Sequence, residues 1–176
     1  TCGLAWVKAY PHHFNKCLLI GDAGHAIIPF YGQGVNCGLE DCRVLDGLWD
    51  AHQGDVEQIF NAYSKLRKPA TDAICELAEY NFIEMAALTA SQAFALKKKI
   101  GMFLYKLMPN KFIPLYTMVT FSPHISYDVA WKTYRDREAA LSTAATVVKR
   151  GTLLATISGL AYYGYRYYCE QQSQKK

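Results

Sequence analysis

The segment LLIGDAGHAIIPFYGQGVNCGLED, residues 18–41, passes from an apolar run into a glycine-rich loop and then into a helical pattern. A short apolar run that stops at glycine is typical of a buried strand, so residues 17–20 are predicted to form one. Glycines at positions 21, 24, 32, 34 and 38, with Pro29 among them, indicate a loop. The segment therefore predicts a strand, a loop and a helix in that order.

Helices are predicted for most of the remaining chain. The first runs from Gln33 or Gly34 to Ala51, with an apolar stripe of Val35, Leu39, Cys42, Leu45 and Trp49. Asp55 is expected to cap a second helix that Pro69 interrupts. A third is expected from Thr71 or Asp72 to about Lys98, an extended or irregular stretch over 112–122, and a fourth helix from Ser126 to about Lys149.

Composition limits the class of protein. The 176 residues correspond to one ordinary domain, and 51% hydrophobic against 19% charged residues excludes wholesale disorder. A net charge of +4 without an aromatic-interleaved basic stripe argues against a nucleic-acid partner. The six cysteines include no C-x-x-C pair, so no metal site is predicted and reduced thiols are expected.

The segment 151–168 has a distinct, apolar and aromatic composition and is flanked by Lys149 and Arg150. Its 18 residues would span about 27 Å as a helix, close to the ~30 Å hydrocarbon core of a bilayer. Tyrosines crowd one end, as in an aromatic belt. The pattern predicts a membrane-anchor helix within 149–176; an amphipathic or buried terminal helix is the alternative.

The loop itself carries the chemistry. Asp22 follows the predicted strand, where an acidic side chain can hold a ribose-like hydroxyl. Gly32 and Gly34 allow a flat ligand to approach the backbone, and the helix that begins there directs free N–H groups toward it. This pattern suits an electron-rich acceptor such as the oxygen of a reduced flavin ring. A glycine-rich turn with a capping aspartate is the structural alternative.

The strings G-D-A-x-H, P-x-x-G-Q-G and N-x-G-x-E-D resemble the third flavin-binding motif of the class A aromatic flavoprotein monooxygenases. Residues 67–69, 80–85 and 112–122 are similar to the more restrictive strings of members that act on L-kynurenine. The resemblance covers about residues 5–135. It implies an α/β parent fold with a Rossmann-like FAD-binding domain and a substrate domain, of which this chain would be a mostly α-helical C-terminal portion with one or two strands and a C-terminal hydrophobic helix.

The implied organisation is part of the FAD-binding domain over 1–52, a helical substrate-pocket region over 53–148 and the anchor over 149–176. The implied reaction consumes NADPH and O2 with FAD as cofactor, and converts L-kynurenine to 3-hydroxykynurenine. The implied location is the mitochondrial outer membrane, with the catalytic part facing the cytosol. Two alternatives stay open: a non-catalytic, tail-anchored interaction protein, and a related hydroxylase acting on a ubiquinone precursor.

Site residues follow from the resemblance position by position, and none is a catalytic acid, base or nucleophile. The cofactor would contact Asp22 through its ribityl side and the backbone of Val35 and Asn36 through its pyrimidine edge, with Gly32, Gln33 and Gly34 beside them. Asn81 and Tyr116 would hold the amino-acid end of the substrate, supported by Glu84 and Met85. Pro29, Phe30 and Tyr31 would form the wall between substrate and flavin.

Asn81 also stands out without the resemblance, because its amide falls on an apolar stripe, where it needs a partner. A core asparagine bonded to a neighbouring carbonyl is the alternative. His25 is expected to be structural. The motif departs from the family at Gly24 and at Val35, where Ala and Met are commoner. The G-x-G-x-x-G turn is absent from these residues, as are the arginine and tyrosine that complete the substrate site. The chain alone is therefore expected neither to retain FAD nor to turn over.

Overall fold

Helices dominate the chain, in agreement with the prediction. A computed structural model describes residues 3–88, 91–109 and 111–173. The chain divides into two units, Thr1–Lys132 and Thr133–Lys176. Within the described ranges, β-structure is limited to one small hairpin in the first unit.

The hairpin pairs β1, His13–Phe14, with β2, Cys17–Leu18, in antiparallel register. Asn15 provides the left-handed turn with a φ of 51°. The predicted buried strand over 17–20 is wrong in length and burial, because β2 has two residues and Leu19 and Ile20 are about two-fifths exposed. An apolar run is buried on both faces only where other strands and helices cover it, and in the described part of the chain β2 pairs with β1 alone.

A one-turn helix α1, Asp22–His25, and a 3-10 turn, Pro29–Tyr31, lead into α2, Gly34–Ala51. The predicted bounds of α2 are confirmed, but its predicted apolar stripe is not the buried face. Val35, Leu39 and Trp49 are exposed, whereas Cys37 and Asp41 are buried. The buried face is decided by polar partners on other elements, which hydrophobic periodicity does not register.

Helix α3, Val56–Ile83, begins where predicted. The Asp55 side chain accepts hydrogen bonds from the N–H groups of Glu57 and Gln58, as an N-cap should. The predicted break at Pro69 is wrong, because α3 continues through it. Proline inside a helix costs roughly 3 kcal/mol. Burial of side chains on both sides of it offsets that cost, among them Tyr63, Ile74 and Leu77.

The predicted single helix to Lys98 is also wrong. A π-helical segment, Glu84–Leu88, follows α3, and a separate helix α4 spans Gln92–Leu107. The stretch predicted to be irregular contains a helix, α5, Leu115–Thr120, with Pro114 as its N-cap. Proline is compatible with a helix start because the N–H groups there lack helical acceptors.

The core of the first unit forms around α3. The buried hydrophobic residues of this unit also include Met118 and Val119 of α5 and Ala130 of α6, Tyr127–Ser173. Trp131 donates its ring N–H to Glu76 Oε2 at 2.8 Å, which fixes the start of α6 against α3.

The second unit is the remainder of α6. Residues 151–168 are helical, as predicted. The described helices include none with the length and apolar character needed to cross a bilayer.

Candidate flavin and substrate sites

The turn after the hairpin places Asp22 beside α2. Gly21 has a φ of 57°, which favours glycine, and Asp22 then begins α1. The Gly21 N–H donates to Asp41 Oδ2 at 2.8 Å. A Cβ built on Gly38 would lie 3.7 Å from Gly21 Cα, so the turn and α2 meet backbone to backbone. Asp22 itself is exposed.

The amino end of α2 is open. Gly32 adopts the left-handed conformation, with a φ of 64°, and Gln33 is the N-cap residue. The first helical hydrogen bond runs from the Cys37 N–H to the Gln33 carbonyl, so the N–H groups of Gly34, Val35 and Asn36 precede the helical pattern. Val35 is 76% exposed. This end therefore offers N–H donors and the positive pole of the helix to a ligand.

The Gln33 side chain holds this end in place from inside. Its Oε1 accepts from Asn36 Nδ2 at 3.0 Å and from the Tyr127 hydroxyl at 3.2 Å. Gln33 is buried, so these bonds satisfy an amide that would otherwise be costly. Its role in the structure is thus to support the helix start through its side chain.

A buried network of four residues lies behind the turn and was not predicted: His25, Asp41, Arg67 and Cys37. Asp41 Oδ2 lies 2.5 Å from His25 Nε2, and Asp41 Oδ1 accepts from Arg67 Nε at 2.7 Å. Arg67 also donates to the Cys37 carbonyl at 3.3 Å and pairs with Glu40 at 3.2 Å. Asp41 is fully buried. The network joins α1, α2 and α3 through one carboxylate.

The charges of this network are mutually supported. Burial alone would raise the pKa of Asp41, but hydrogen bonds from His25 and the Gly21 N–H, with the positive charge of Arg67, lower it to about 2. Burial raises the pKa of the Cys37 thiol to about 12. The carboxylate is therefore ionised and the thiol protonated near neutral pH. His25 contacts Asp41 in this arrangement, and its structural role stays a prediction.

The same network bears on metal binding. Ligand atoms of His25, Cys37 and Asp41 lie within 4.8 Å of one another. The Arg67 guanidinium, however, donates to Asp41 Oδ1 at 2.7 Å and lies 3.3 Å from Cys37 Sγ, so two of these three residues already contact a cationic side chain. The geometry fits an ion-pair network.

A second group of predicted residues meets at the end of α3, and we call it the aromatic cluster. The Phe30 ring packs on Phe82 with centroids 4.6 Å apart, and Tyr31 stacks on Tyr116 at 5.8 Å. Tyr116 also contacts Phe121 at 6.1 Å. Tyr31 is buried, but Tyr116 is 53% exposed, so the cluster has one open side.

Asn81 connects this cluster to the 3-10 turn. Its Nδ2 donates to the Phe30 carbonyl at 2.7 Å, which is the neighbouring-carbonyl arrangement that the sequence left open. Glu84 pairs with Lys98 at 3.1 Å, and Met85 is exposed. Burial, with Glu84 nearby, raises the pKa of Tyr31. The structure thus brings Phe30, Tyr31, Asn81 and Tyr116 together, with Pro29 at the start of the same 3-10 turn.

Comparison with known proteins finds a matching family model and several similar chains. A family model described as "FAD binding domain" matches residues 3–78, which include the Asp22 turn, the start of α2 and Arg67. A kynurenine 3-monooxygenase of Sus scrofa is 45% identical over 85% of this chain and 31% of its own length. Those of Candida albicans and Anopheles gambiae are 45% and 38% identical, over 70% and 93% of this chain and 27% and 33% of their own lengths.

Over most of its own length the chain is similar to kynurenine 3-monooxygenases. It spans about three-tenths of the length of these relatives. The family resemblance read from the motifs is thereby confirmed.

The open features fit the cofactor of a kynurenine 3-monooxygenase. A Cβ on Gly32 or Gly34 would meet no atom within 4 Å, so the backbone is accessible from outside. FAD carries hydroxyl groups and carbonyl oxygens, which match an exposed carboxylate acceptor and exposed N–H donors. Both kinds of group are present within one strand–turn–helix unit.

The local structure explains why glycine occupies position 24. A Cβ there would lie 3.1 Å from His12 Cδ2 and 3.3 Å from the Leu19 carbonyl oxygen. The His12 side chain is fully buried and lies edge-on to Tyr63. The imidazole therefore occupies the space that a larger residue at position 24 would need.

Asp41 and Arg67 were missed as site residues although both stand in the strings that carry the resemblance. The available signal was the spacing of Cys37 and Asp41, which lie four residues apart and therefore on one face of α2. A carboxylate on a face that is buried needs a polar partner from another element. An arginine inside the otherwise apolar pattern of α3 was the second half of that signal.

Proposed function

We propose that this chain is part of an FAD-dependent monooxygenase that hydroxylates L-kynurenine to 3-hydroxykynurenine. The observation that carries the proposal is the pairing of an exposed Asp22 with the open amino end of α2 inside the segment that matches an FAD binding domain. The names of the relatives support the substrate. NADPH and O2 are the proposed co-substrates, yielding NADP+ and water beside the hydroxylated product.

FAD would supply the oxygen-activating chemistry, and this chain's residues would bind and orient it. Asp22 would accept hydrogen bonds from ribityl hydroxyls. The N–H groups of Gly34, Val35 and Asn36 would donate to the pyrimidine edge, where the helix pole favours negative charge. Gly32 leaves room for close approach, and Gln33 fixes the helix start.

The aromatic cluster would form one side of the substrate pocket. Asn81 and Tyr116 would hold the amino-acid end of L-kynurenine, with Glu84 and Met85 beside them. Pro29, Phe30 and Tyr31 would separate substrate from flavin. Asn81 retains its carbonyl oxygen and a second N–H after bonding Phe30, so it can hold the turn and a ligand together.

The test is hydroxylation by the complete protein, meaning this chain with whatever precedes or follows it in its gene product. With NADPH and O2, we expect L-kynurenine to be converted to 3-hydroxykynurenine. Asn81→Ala and Tyr116→Phe should each raise KM by about tenfold, as expected for loss of a polar substrate contact. An unchanged KM in both variants would overturn the substrate assignment.

The chain alone is proposed not to retain FAD, since Asp22 and residues at the amino end of α2 are exposed in it. Gel filtration of the 176-residue chain mixed with FAD tests this, and flavin absorbance co-eluting with the protein contradicts it.

Attachment to the mitochondrial outer membrane through 149–176 is a separate proposal. It is supported by exposed apolar and aromatic side chains on α6, including Leu153, Ile157, Leu160 and Tyr163. Flotation of the complete protein with liposomes tests it, with a chain ending at residue 148 as the control. Equal recovery of both in the lipid fraction would contradict the proposal.

A further inference from the structure

The buried carboxylate of Asp41 touches the two elements that face the proposed cofactor. It accepts the Gly21 N–H at 2.8 Å, directly before Asp22, and it belongs to α2, whose amino end is two turns away. Neither Asp22 nor the N–H groups of Gly34 to Asn36 contacts it directly. Asp41 is thus placed to fix the spacing between them.

We propose that Asp41, held by Arg67 and His25, is a positioning residue that sets Asp22 and the amino end of α2 at the separation the flavin cofactor requires. The inference rests on the proposed function and adds residues that the motif-based site did not include. Asp41 itself is fully buried and contacts no ligand position, so its effect would be exerted through the Gly21 turn.

The turn needs such a tether. Gly21 combines a φ of 57° with a ψ of −140°, a conformation that no regular element enforces. Its N–H bond to Asp41 and its close approach to Gly38 are the contacts that hold it against α2. Without the carboxylate, the turn would lose its charged acceptor while β1, β2 and α2 could still form.

Arg67 fixes the carboxylate in turn. Its Nε donates to Asp41 Oδ1 at 2.7 Å, and its second nitrogen grips the Cys37 carbonyl at 3.3 Å. This two-point attachment prevents the carboxylate from rotating away from Gly21, because both oxygens then have assigned donors. His25 Nε2 shares Oδ2 with the Gly21 N–H and so links α1 to the same atom.

The experiment uses the complete protein and measures the FAD dissociation constant, the visible circular dichroism of bound flavin and the thermal midpoint. Asp41→Asn is expected to weaken FAD binding at least about tenfold and to change the flavin dichroism, because the asymmetric environment of the flavin shifts with the turn. Glu40→Gln is the matched control, since Glu40 pairs with the same Arg67 but does not touch Gly21. It should change the constant less than about twofold.

A second control separates positioning from loss of stability. Ile59→Ala removes a fully buried side chain from α3, about two turns before Arg67, and leaves the network in place. If Ile59→Ala lowers the thermal midpoint as much as Asp41→Asn and weakens FAD equally, with the same change in dichroism, the positioning role is wrong.

Should Asp41→Asn not fold, Arg67→Lys takes its place. Lysine keeps the buried positive charge but cannot grip two acceptors at once, so the carboxylate would no longer be fixed. The affinity for FAD is expected to fall at least about threefold, which corresponds to roughly half the binding free energy of a tenfold loss. Wild-type affinity in folded Arg67→Lys would overturn the proposal.

Asp22→Asn distinguishes a failure of the positioning role of Asp41 from a failure of the proposed cofactor site. If Asp22→Asn weakens FAD binding but folded Asp41→Asn does not, the positioning role fails and the proposed cofactor site stands. If Asp22→Asn leaves FAD binding unchanged, the proposed cofactor contact itself fails.

Discussion

The buried network around Asp41 and the aromatic cluster around Tyr116 differ in polarity and in exposure to solvent. The network is polar, enclosed and fully partnered by residues of this chain. The cluster is apolar and lies partly open, with Tyr116 and Phe121 more than half exposed. The difference indicates that the network stabilises the arrangement of the helices, whereas the cluster has exposed surface available to a ligand.

Arg67→Met should have the largest effect on stability. It would leave the Asp41 charge buried without its main partner, a change that costs roughly 3–5 kcal/mol. Denaturant unfolding of the chain measures it. The control is Lys68→Met, which loses a partly exposed ion pair with Asp72 and a contact of the ammonium group with the Tyr10 ring. It should change the free energy of unfolding by about 1 kcal/mol or less. An equal loss of unfolding free energy in both variants would contradict the stabilising role of the network.

Acid should expose the contribution of Asp41. Its pKa is lowered from 3.8 to about 2 in the folded chain, so the stabilisation is full above about pH 4 and is lost as the pH falls toward 2. The sign follows because the unfolded chain binds the proton first. The contribution is on the order of 2 kcal/mol. Unfolding measured from pH 5 to 2 should be less pH-dependent in Asp41→Asn; identical slopes would contradict the account.

Gly24→Ala should destabilise the turn more modestly, by roughly 1–3 kcal/mol, because the added methyl crowds His12 and the Leu19 carbonyl. His12→Ala should recover part of that loss when both changes are combined. Gly47→Ala on α2 is the control, since an added Cβ there meets no atom within 4 Å. Thermal unfolding of the four variants checks the coupling, and simple additivity of the two changes would refute it.

Tyr116→Phe should have the smallest effect on stability, below about 0.5 kcal/mol, since it keeps the ring that stacks on Tyr31. The same change should weaken substrate binding by the complete protein, as proposed above. A large loss of stability would mean that the hydroxyl serves the fold, which would weaken the contrast between the cluster and the network.

Sequence reasoning located the elements better than their faces. Local signals predicted three helix starts correctly: those of α2, α3 and α6. Each start has a glycine or a capping side chain beside it, which the sequence shows directly. The buried face of α2 was missed because Asp41 is buried by Arg67, which lies 26 residues further along the chain. Pro69 misled for a related reason, since tertiary burial sustains α3 through it. Of the candidate site, the motifs pointed to Asp22 and to Phe30, Tyr31, Asn81 and Tyr116. The network around Asp41, which accepts the Gly21 N–H, was not predicted.

The most direct test of the central claim is the affinity of the complete protein for FAD with Asp22→Asn, compared with Asp46→Asn on the exposed side of α2. If Asp22 and the amino end of α2 together bind the flavin, Asp22→Asn should raise the dissociation constant about tenfold or more while Asp46→Asn leaves it unchanged. Equal, wild-type affinity in both variants would contradict the account.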